Sequence, residues 1–279
     1  MSQKTIRIPG EFVSFPVGGS RERLDGVWAY HKRPKKRLLV FIHGMGGNFF
    51  RSAFKKQAML QGPRNGWDVL SFNNRGALGA VINERFSHCM QDIDAAIAFG
   101  RARGYRQFAL MGHSTGCQKV TYYQARRQLR AVRAVVLAAP ADDVAIFRRD
   151  LGKKHVHWMR QARKLVDRGR GDTVLPECNG FAARRFLSAA DPTQNEGKIF
   201  DYAGRMYHFR KVTCPVLAFF GGREEYAVLP VARMGKLLAE RSNASQFDYF
   251  TVPGGDHGFH RHEEKTVQRV YRWLRSNVQ

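Results

Sequence analysis

The chain of 279 residues has few acidic side chains, with 23 Asp and Glu against 47 Lys and Arg and a formal net charge of +24. Such an excess of positive charge attracts anions, and it raises nucleic acid or an acidic substrate as a partner. The basic residues are nevertheless spread over the whole chain, without a zinc finger or interleaved aromatic RNA-binding motif. We therefore expect a surface solvated largely by arginine and no specific nucleic-acid site.

Long apolar runs are also missing. The longest are short pieces such as "LLVFI" and "AVVLAAPA", whereas a membrane-spanning helix needs about 20 apolar residues. The first residues, "MSQKTIRIPGEF", lack the apolar core of a secretory signal. These patterns predict no membrane span and a cytoplasmic location.

Cysteine is scarce and scattered, and no pair has CxxC or CxxH spacing. The four cysteines are Cys89, Cys117, Cys178 and Cys214. His155 with His157 and His260 with His262 have His-x-His spacing, but no cysteine or carboxylate cluster accompanies either pair. We expect neither a disulfide framework, nor a metal site, nor a cofactor.

What the chain does contain is a repeated alternation of strand-like and helix-like apolar patterns. "EFVSFPV" and "LDGVWAYHK" predict an antiparallel pair joined at a Gly-Gly-Ser turn. Six further predicted strands are "RLLVFIHG", "WDVLSFNNRG", "QFALMGHS", "VRAVVLAAP", "CPVLAFFGG" and "QFDYFTVPGG". Helices are predicted near residues 51–62, 88–104, 117–129, 230–241 and 262–275. This order predicts an α/β fold with a mostly parallel central sheet and flanking helices.

The alternation is interrupted between residues 141 and 209, where we find no clear strand. The stretch "FRRDLGKKHVHWMRQARKLVDRGRG" is helix-like and has nine basic residues but only Asp150 and Asp167 as acids. We interpret residues 1–140 and 210–279 as one core and residues 141–209 as an inserted helical cap or lid. Its charge indicates either a solvated helix face or a lid that attracts an anionic substrate.

A candidate nucleophile lies in "FALMGHSTGCQ", where Gly112-x-Ser114-x-Gly116 follows a predicted strand and precedes a predicted helix. A tight strand-to-helix turn would expose the Ser114 hydroxyl, and side chains at the two glycine positions would clash. An ordinary serine in a glycine-rich turn is the alternative. The flanking elements favour the nucleophile.

A serine nucleophile needs a base, and a histidine base needs an acid that orients it. His257, in "VPGGDHGF" after the last predicted strand, is the candidate base. Glu224 and Glu225 follow the seventh predicted strand in "FFGGREEY", and the register favours Glu224 as the acid. Asp142, after the sixth strand, is an alternative, whereas Asp256 is expected to support the loop.

Acyl transfer also needs hydrogen-bond donors for the oxyanion. "HGMGG", residues 43–47, ends the third predicted strand in a glycine-rich loop. The backbone N–H groups of Met45 and Thr115 are the predicted pair of donors.

The motifs "HGMGG", "GHSTG", "GGREEY" and "GGDHGF", in this order and each after a predicted strand, resemble those of the α/β-hydrolase superfamily. The resemblance covers nearly the whole chain except the cap. More narrowly, "LMGHSTGCQ" and "EEY" are similar to a branch of serine hydrolases that includes siderophore esterases. The chain departs from that branch at Glu224, where the branch usually has aspartate.

The resemblance implies a catalytic triad of Ser114, Glu224 and His257. It also implies hydrolysis of a small-molecule carboxylic ester through an acyl-enzyme, without metal or cofactor. Serine rather than aspartate at position 114 of the strand-to-helix turn argues against a dehalogenase or an epoxide hydrolase. Thioesterase, lactonase and acyltransferase activities use the same triad, and a non-catalytic ligand-binding protein of the hydrolase fold is a further alternative. The sequence does not predict the oligomeric state.

Overall fold

The structure is a computed structural model that describes residues 7–31 and 36–278. The start of the chain and Lys32, the last residue of the second predicted strand, lie outside the described residues. In chain order the strands are β1 (Gly10–Pro16), β2 (Arg23–Ala29), β3 (Arg37–Ile42), β4 (Asp68–Phe72), β5 (Gln107–His113), β6 (Val132–Ala138), β7 (Val174–Leu175), β8 (Phe181–Ala182), β9 (Val216–Gly221) and β10 (Phe247–Val252). The helices are α1 (Ala53–Gln61), α2 (His88–Ala102), α3 (Thr115–Arg127), α4 (Asp143–Leu151), α5 (His155–Asp167), α6 (Ala183–Ala190), α7 (Val231–Arg241) and α8 (Glu263–Asn277).

Eight strands form one sheet in the order β1-β2-β4-β3-β5-β6-β9-β10. The pairs β1–β2 and β2–β4 are antiparallel, and the other pairs from β4 to β10 are parallel. The opening hairpin and the mostly parallel sheet are therefore as the sequence predicts. Because the parallel strands end at the same edge, the loops after β3, β5, β9 and β10 are brought together there.

Both faces of the sheet are buried, which explains why the central strands are continuous apolar runs. In β3, Leu38, Val40 and Ile42 pack in one apolar cluster with residues of α2, α3 and α7. Leu39 and Phe41 point to the opposite cluster, which contains residues of α1 and α8. The expected α/β fold class, with a mostly parallel central sheet and flanking helices, is confirmed. Within the described ranges, no helix is both long and apolar enough to cross a membrane.

The segment of residues 141–209 contains α4, α5 and α6, as the helix-like pattern predicts. The expectation that it contains no strand is wrong, because β7 and β8 form a two-residue antiparallel pair. Such a short pair leaves no alternating pattern long enough to be recognised in a sequence. The segment has its own apolar cluster, which includes Phe147, Met159 and Phe186.

Candidate active site

Ser114 lies at the turn between β5 and α3, with φ 56° and ψ −131°. Only glycine fits at positions 112 and 116, because a Cβ atom at either position would collide with the backbone. A Cβ atom at Gly112 would lie 2.3 Å from the carbonyl oxygen of Gly116, and one at Gly116 would lie 2.2 Å from that of Ile42. The local geometry is therefore the tight turn that the sequence predicts, with Ser114 in the wall of a cavity.

The loop after β10 places His257 beside the loop after β9. His257 Nδ1 is 2.6 Å from Glu224 Oε1, and the Glu224 side chain is only 3% exposed. A carboxylate accepts the Nδ1–H of a neutral imidazole, which leaves Nε2 as the acceptor. The adjacent Glu225 has a different partner, since its Oε2 accepts the backbone N–H of His257 at 2.8 Å. One glutamate thus orients the ring and the other holds the backbone.

Asp142, the alternative acid, is not brought to His257. Its Oδ1 accepts the backbone N–H of Ala145 at 2.9 Å, and its Oδ2 accepts that of Tyr202 at 3.1 Å. Burial raises the pKa of this carboxyl. Asp142 therefore caps the N-terminus of α4.

Asp256, next to His257 in sequence, is bonded within its own loop. Its Oδ1 accepts the backbone N–H of His260 at 2.9 Å, and its Oδ2 lies 2.7 Å from His260 Nδ1. These contacts are those of a residue that supports the loop, as the sequence analysis expects.

Sequence reasoning missed His113, although it directly precedes Ser114 in "GHSTG". Its Nε2 lies 2.8 Å from the carbonyl oxygen of His257, and the two rings are 5.0 Å apart. Desolvation and the neighbouring His257 lower the pKa of His113 to about 3. His113 is therefore neutral near pH 7, and its Nε2–H donates to the loop that carries His257.

The "HGMGG" loop after β3 lies against the nucleophile turn. A Cβ atom at Gly44 would be 2.7 Å from Ser114 Cβ, so only glycine allows this approach. Met45 and Thr115 line the same cavity as Ser114. Thr115 is the first residue of α3, and the first N–H groups of a helix have no intrahelical partner.

His43 holds the start of that loop. Its Nδ1 lies 2.7 Å from the carbonyl oxygen of Gly44, and its Nε2 accepts the backbone N–H of Asn74 at 3.2 Å. Burial and the charge of Lys119 hold the pKa of His43 well below its usual range. A neutral ring with Nδ1–H as donor satisfies both contacts.

A network of buried charges reaches this loop through Asn74, which hydrogen-bonds to His43. This network was not visible in the sequence. Lys119 of α3 is 2.5 Å from Glu84 and 2.9 Å from Asn74 Oδ1. Arg185 of α6 lies 3.5 Å from the same Glu84 and 2.6 Å from Glu196. The network therefore joins the 141–209 segment to the core.

The cavity at Ser114 has a volume of about 570 Å³. The 141–209 segment contributes the apolar side chains of Ile146, Phe147 and Phe181 to its wall, and α1 contributes Lys55. Desolvation lowers the pKa of Lys55 to about 8. In the part of the chain that the structure describes, no three His, Cys, Asp or Glu side chains are grouped as metal ligands would be.

A family model described as "Protein of unknown function (DUF1749)" matches residues 24–275. A curated relative, UPF0613 protein PB24D3.06c of Schizosaccharomyces pombe, is 23% identical over 151 residues. That match covers 50% of this chain and 47% of the relative, so the chain spans about half the length of the curated relative.

Solved structures with the same fold match nearly the whole chain. Est1E from Butyrivibrio proteoclasticus, bound to ferulic acid, has a TM-score of 0.71 at 17% identity and covers 95% of this chain and 99% of its own. The siderophore hydrolase EstB from Aspergillus fumigatus has a TM-score of 0.71 at 16% identity, with 99% and 100% covered. A thermostable carboxyl esterase from Bacillus coagulans has a TM-score of 0.72 at 11% identity, with 98% and 100% covered. At these identities the likeness establishes the fold alone, which is the α/β-hydrolase fold expected from the motifs.

Proposed function

The chain belongs to the DUF1749 family, and we propose that it is a serine hydrolase that cleaves a carboxylic ester through an acyl-enzyme. The observation that carries this proposal is the 2.6 Å contact between His257 Nδ1 and the buried Glu224 carboxylate, in loops beside the Ser114 turn. Ser114 and His257 line one cavity. A serine, a histidine and a carboxylate with these roles are the minimum set for nucleophilic acyl transfer.

In the proposed first half-reaction, the Ser114 hydroxyl attacks the ester carbonyl carbon while His257 Nε2 accepts its proton. Glu224 holds the imidazole and stabilises the imidazolium that forms. The carbonyl oxygen becomes an oxyanion, for which the N–H groups of Met45 and Thr115 are the proposed donors. His257 then gives the proton to the leaving alcohol, and the acyl group remains on Ser114.

In the second half-reaction, a water molecule takes the place of the alcohol. His257 accepts a proton from this water as it attacks the acyl carbon, and the resulting oxyanion uses the same donors. Collapse of the intermediate returns the proton to Ser114 and releases the carboxylic acid. These steps require neither a metal nor a cofactor.

We further propose that residues 141–209 form a cap over this cavity, since Ile146, Phe147 and Phe181 supply part of its apolar wall. Small-molecule esters are the proposed substrates, in keeping with the names of the esterases that share the fold. The cytoplasmic location stays a prediction.

A fluorophosphonate probe and p-nitrophenyl butyrate test the proposal. The wild-type protein should be labelled at Ser114 and should hydrolyse the ester. Ser114→Ala should abolish labelling and lower kcat by at least about a thousandfold, because a covalent step is removed. Ser245→Ala, which removes an exposed hydroxyl outside the cavity, is the matched control. Equal rates for Ser114→Ala and wild type would disprove the proposal.

A further inference from the structure

Lys55 is a buried cation in the wall of the Ser114 cavity. The residue is only 4% exposed, and its Nζ donates to the backbone carbonyl of Asn48. Within residues 7–31 and 36–278, no carboxylate forms an ion pair with it. A buried charge without an opposite charge is costly, and one carbonyl oxygen satisfies only one of three ammonium donors.

The other buried cations among the described residues have carboxylate partners. Lys119 contacts Glu84, and Arg185 contacts both Glu84 and Glu196. Those cations do not line the Ser114 cavity, whereas Lys55 does. Within the described part of the chain, Lys55 therefore lacks an opposite charge at a position that borders the space a substrate would occupy.

A second cation lies one turn before Lys55. Arg51 is exposed and lines the same cavity. The first turn of α1 contains no acidic residue, so the positive end of the helix dipole adds to the two charges.

The acidic side chains of the cavity do not cancel this potential. Asp150 is paired with Arg149 at 2.9 Å. Asp143 accepts a hydrogen bond from Gln118 at 2.9 Å, and its burial, together with nearby Glu196, raises the pKa of its carboxyl well above the usual range. Lys55 and Arg51 thus remain as the cations available to a ligand.

We propose that Lys55 and Arg51 form a subsite for a carboxylate carried by the ester substrate. This inference rests on the proposed function, since it concerns the substrate class of the same cavity. The carboxylate would supply the opposite charge that Lys55 lacks and would take up its free N–H donors. The preference for an anionic substrate would then come from α1 and not from the basic surface of α5.

Three esters of equal acyl length separate the possible positions of the carboxylate. Phenyl hexanoate is neutral, monophenyl adipate carries the charge on the acyl chain, and para-hexanoyloxybenzoate carries it on the leaving group. Wild-type kcat/KM should be higher for one charged ester than for phenyl hexanoate. The favoured ester identifies the side of the cleaved bond that binds at Lys55.

Lys55→Met should lower kcat/KM for the favoured charged ester by about tenfold or more, since a charge-assisted hydrogen bond is lost. Phenyl hexanoate should change by less than about threefold, because it makes no such bond. Arg51→Gln should give a smaller loss, because exposed charges are screened. The matched control is Lys56→Met, which removes the neighbouring lysine of the same helix, outside the cavity wall. This variant should leave the ratio of kcat/KM for the charged ester to that for phenyl hexanoate unchanged.

Two results would overturn the subsite. One is that Lys55→Met and Lys56→Met show the same ratio of kcat/KM for the charged ester to kcat/KM for phenyl hexanoate. The other is an equal loss for all three esters, which would mean that Lys55 supports the loop through Asn48. If Lys55→Met does not fold by circular dichroism, calorimetric binding of monophenyl adipate and phenyl hexanoate to Ser114→Ala protein decides. The charged ester should bind more tightly, and equal affinities would refute the subsite.

The two proposals fail in distinguishable ways. If wild-type protein hydrolyses none of the three esters, the proposed function fails. The binding comparison then still tests the subsite, because it requires no turnover.

Discussion

Two groups of buried charge differ in access to the Ser114 cavity. The Glu224 carboxylate is buried, but its partner His257 has a side chain that is 15% exposed and lines the cavity. In the second group, Lys119, Glu84 and Arg185 have side chains that are at most 2% exposed. A charge pair that borders this cavity (the open group) can exchange a proton with a ligand there, whereas the sealed second group lies outside the cavity wall.

The two groups also join different parts of the chain. Glu224 and His257 connect the loops after β9 and β10, both within the core. The sealed group connects α3 with α6 of the 141–209 segment, and through Asn74 it reaches His43 at the start of the loop. We therefore expect changes in the open group to act on turnover and changes in the sealed group to act on stability.

The largest expected effect is on turnover, in Glu224→Gln. The amide cannot stabilise an imidazolium and favours the wrong tautomer, so kcat should fall by about a thousandfold to ten-thousandfold with little change in stability. Glu225→Gln, which keeps an acceptor for the backbone of His257, should cost less than about tenfold. Asp142→Asn should leave kcat within a few-fold. Ester turnover and thermal unfolding measure both quantities, and a larger loss in Glu225→Gln would transfer the acid role to that residue.

The next effect is on the free energy of unfolding, in Glu84→Gln. Removing the carboxylate that Lys119 and Arg185 share should lower this free energy by about 3–5 kcal/mol, because two cations are left buried with less compensation. Turnover per folded molecule should change far less than in Glu224→Gln. Urea unfolding provides the measurement.

Glu177→Gln is the control for that variant. It breaks an exposed pair with Lys154, which should contribute less than about 1 kcal/mol. If Glu84→Gln were no more destabilising than Glu177→Gln, the sealed network would not stabilise the fold.

The smallest effect is on the pH dependence of stability, and it involves two histidines, His113 and His208. The pKa of His113 is lowered to about 3 and that of His208 to about 4, in both cases chiefly by burial. An unfolded histidine has a pKa of about 6.5. Between these values the unfolded chain binds more protons than the folded chain, so the free energy of unfolding decreases as the pH falls below about 6.5.

His113→Gln and His208→Gln should each reduce by about one the number of protons taken up on unfolding near pH 5. Urea unfolding at a series of pH values measures this slope. Only His113→Gln should also alter ester turnover, because His113 contacts the carbonyl of His257. An unchanged slope would mean that the histidine is protonated in the folded protein.

The sheet and the order of its motifs could be predicted because their signals are local. Apolar runs such as "LLVFI" and the two glycines around Ser114 are dictated by contacts within a few residues. The choice between Glu224 and Glu225 depended on register alone, and only the conformation of the loop separates their partners, one on the ring and one on the backbone of His257.

The buried network could not be predicted, because in sequence Glu84, Lys119 and Arg185 look like ordinary surface charges. The same holds for the basic stretch of α5, whose acidic partners lie beyond it. Arg163 pairs with Asp191, and Lys154 of the preceding turn pairs with Glu177. Pairing between distant positions is set by tertiary packing, for which a single sequence has no periodic signal.

The backbone of Ser114 has a consequence for how stability and activity are related in this molecule. Its positive φ of 56° is a conformation that costs an L-residue about 1–3 kcal/mol, and glycine would adopt it freely. Ser114→Gly would relieve this strain and remove the hydroxyl in the same step. Under the proposed mechanism, the residue that gives the most stable backbone at position 114 and the residue that gives activity are therefore different, and the rest of the fold must compensate for the serine.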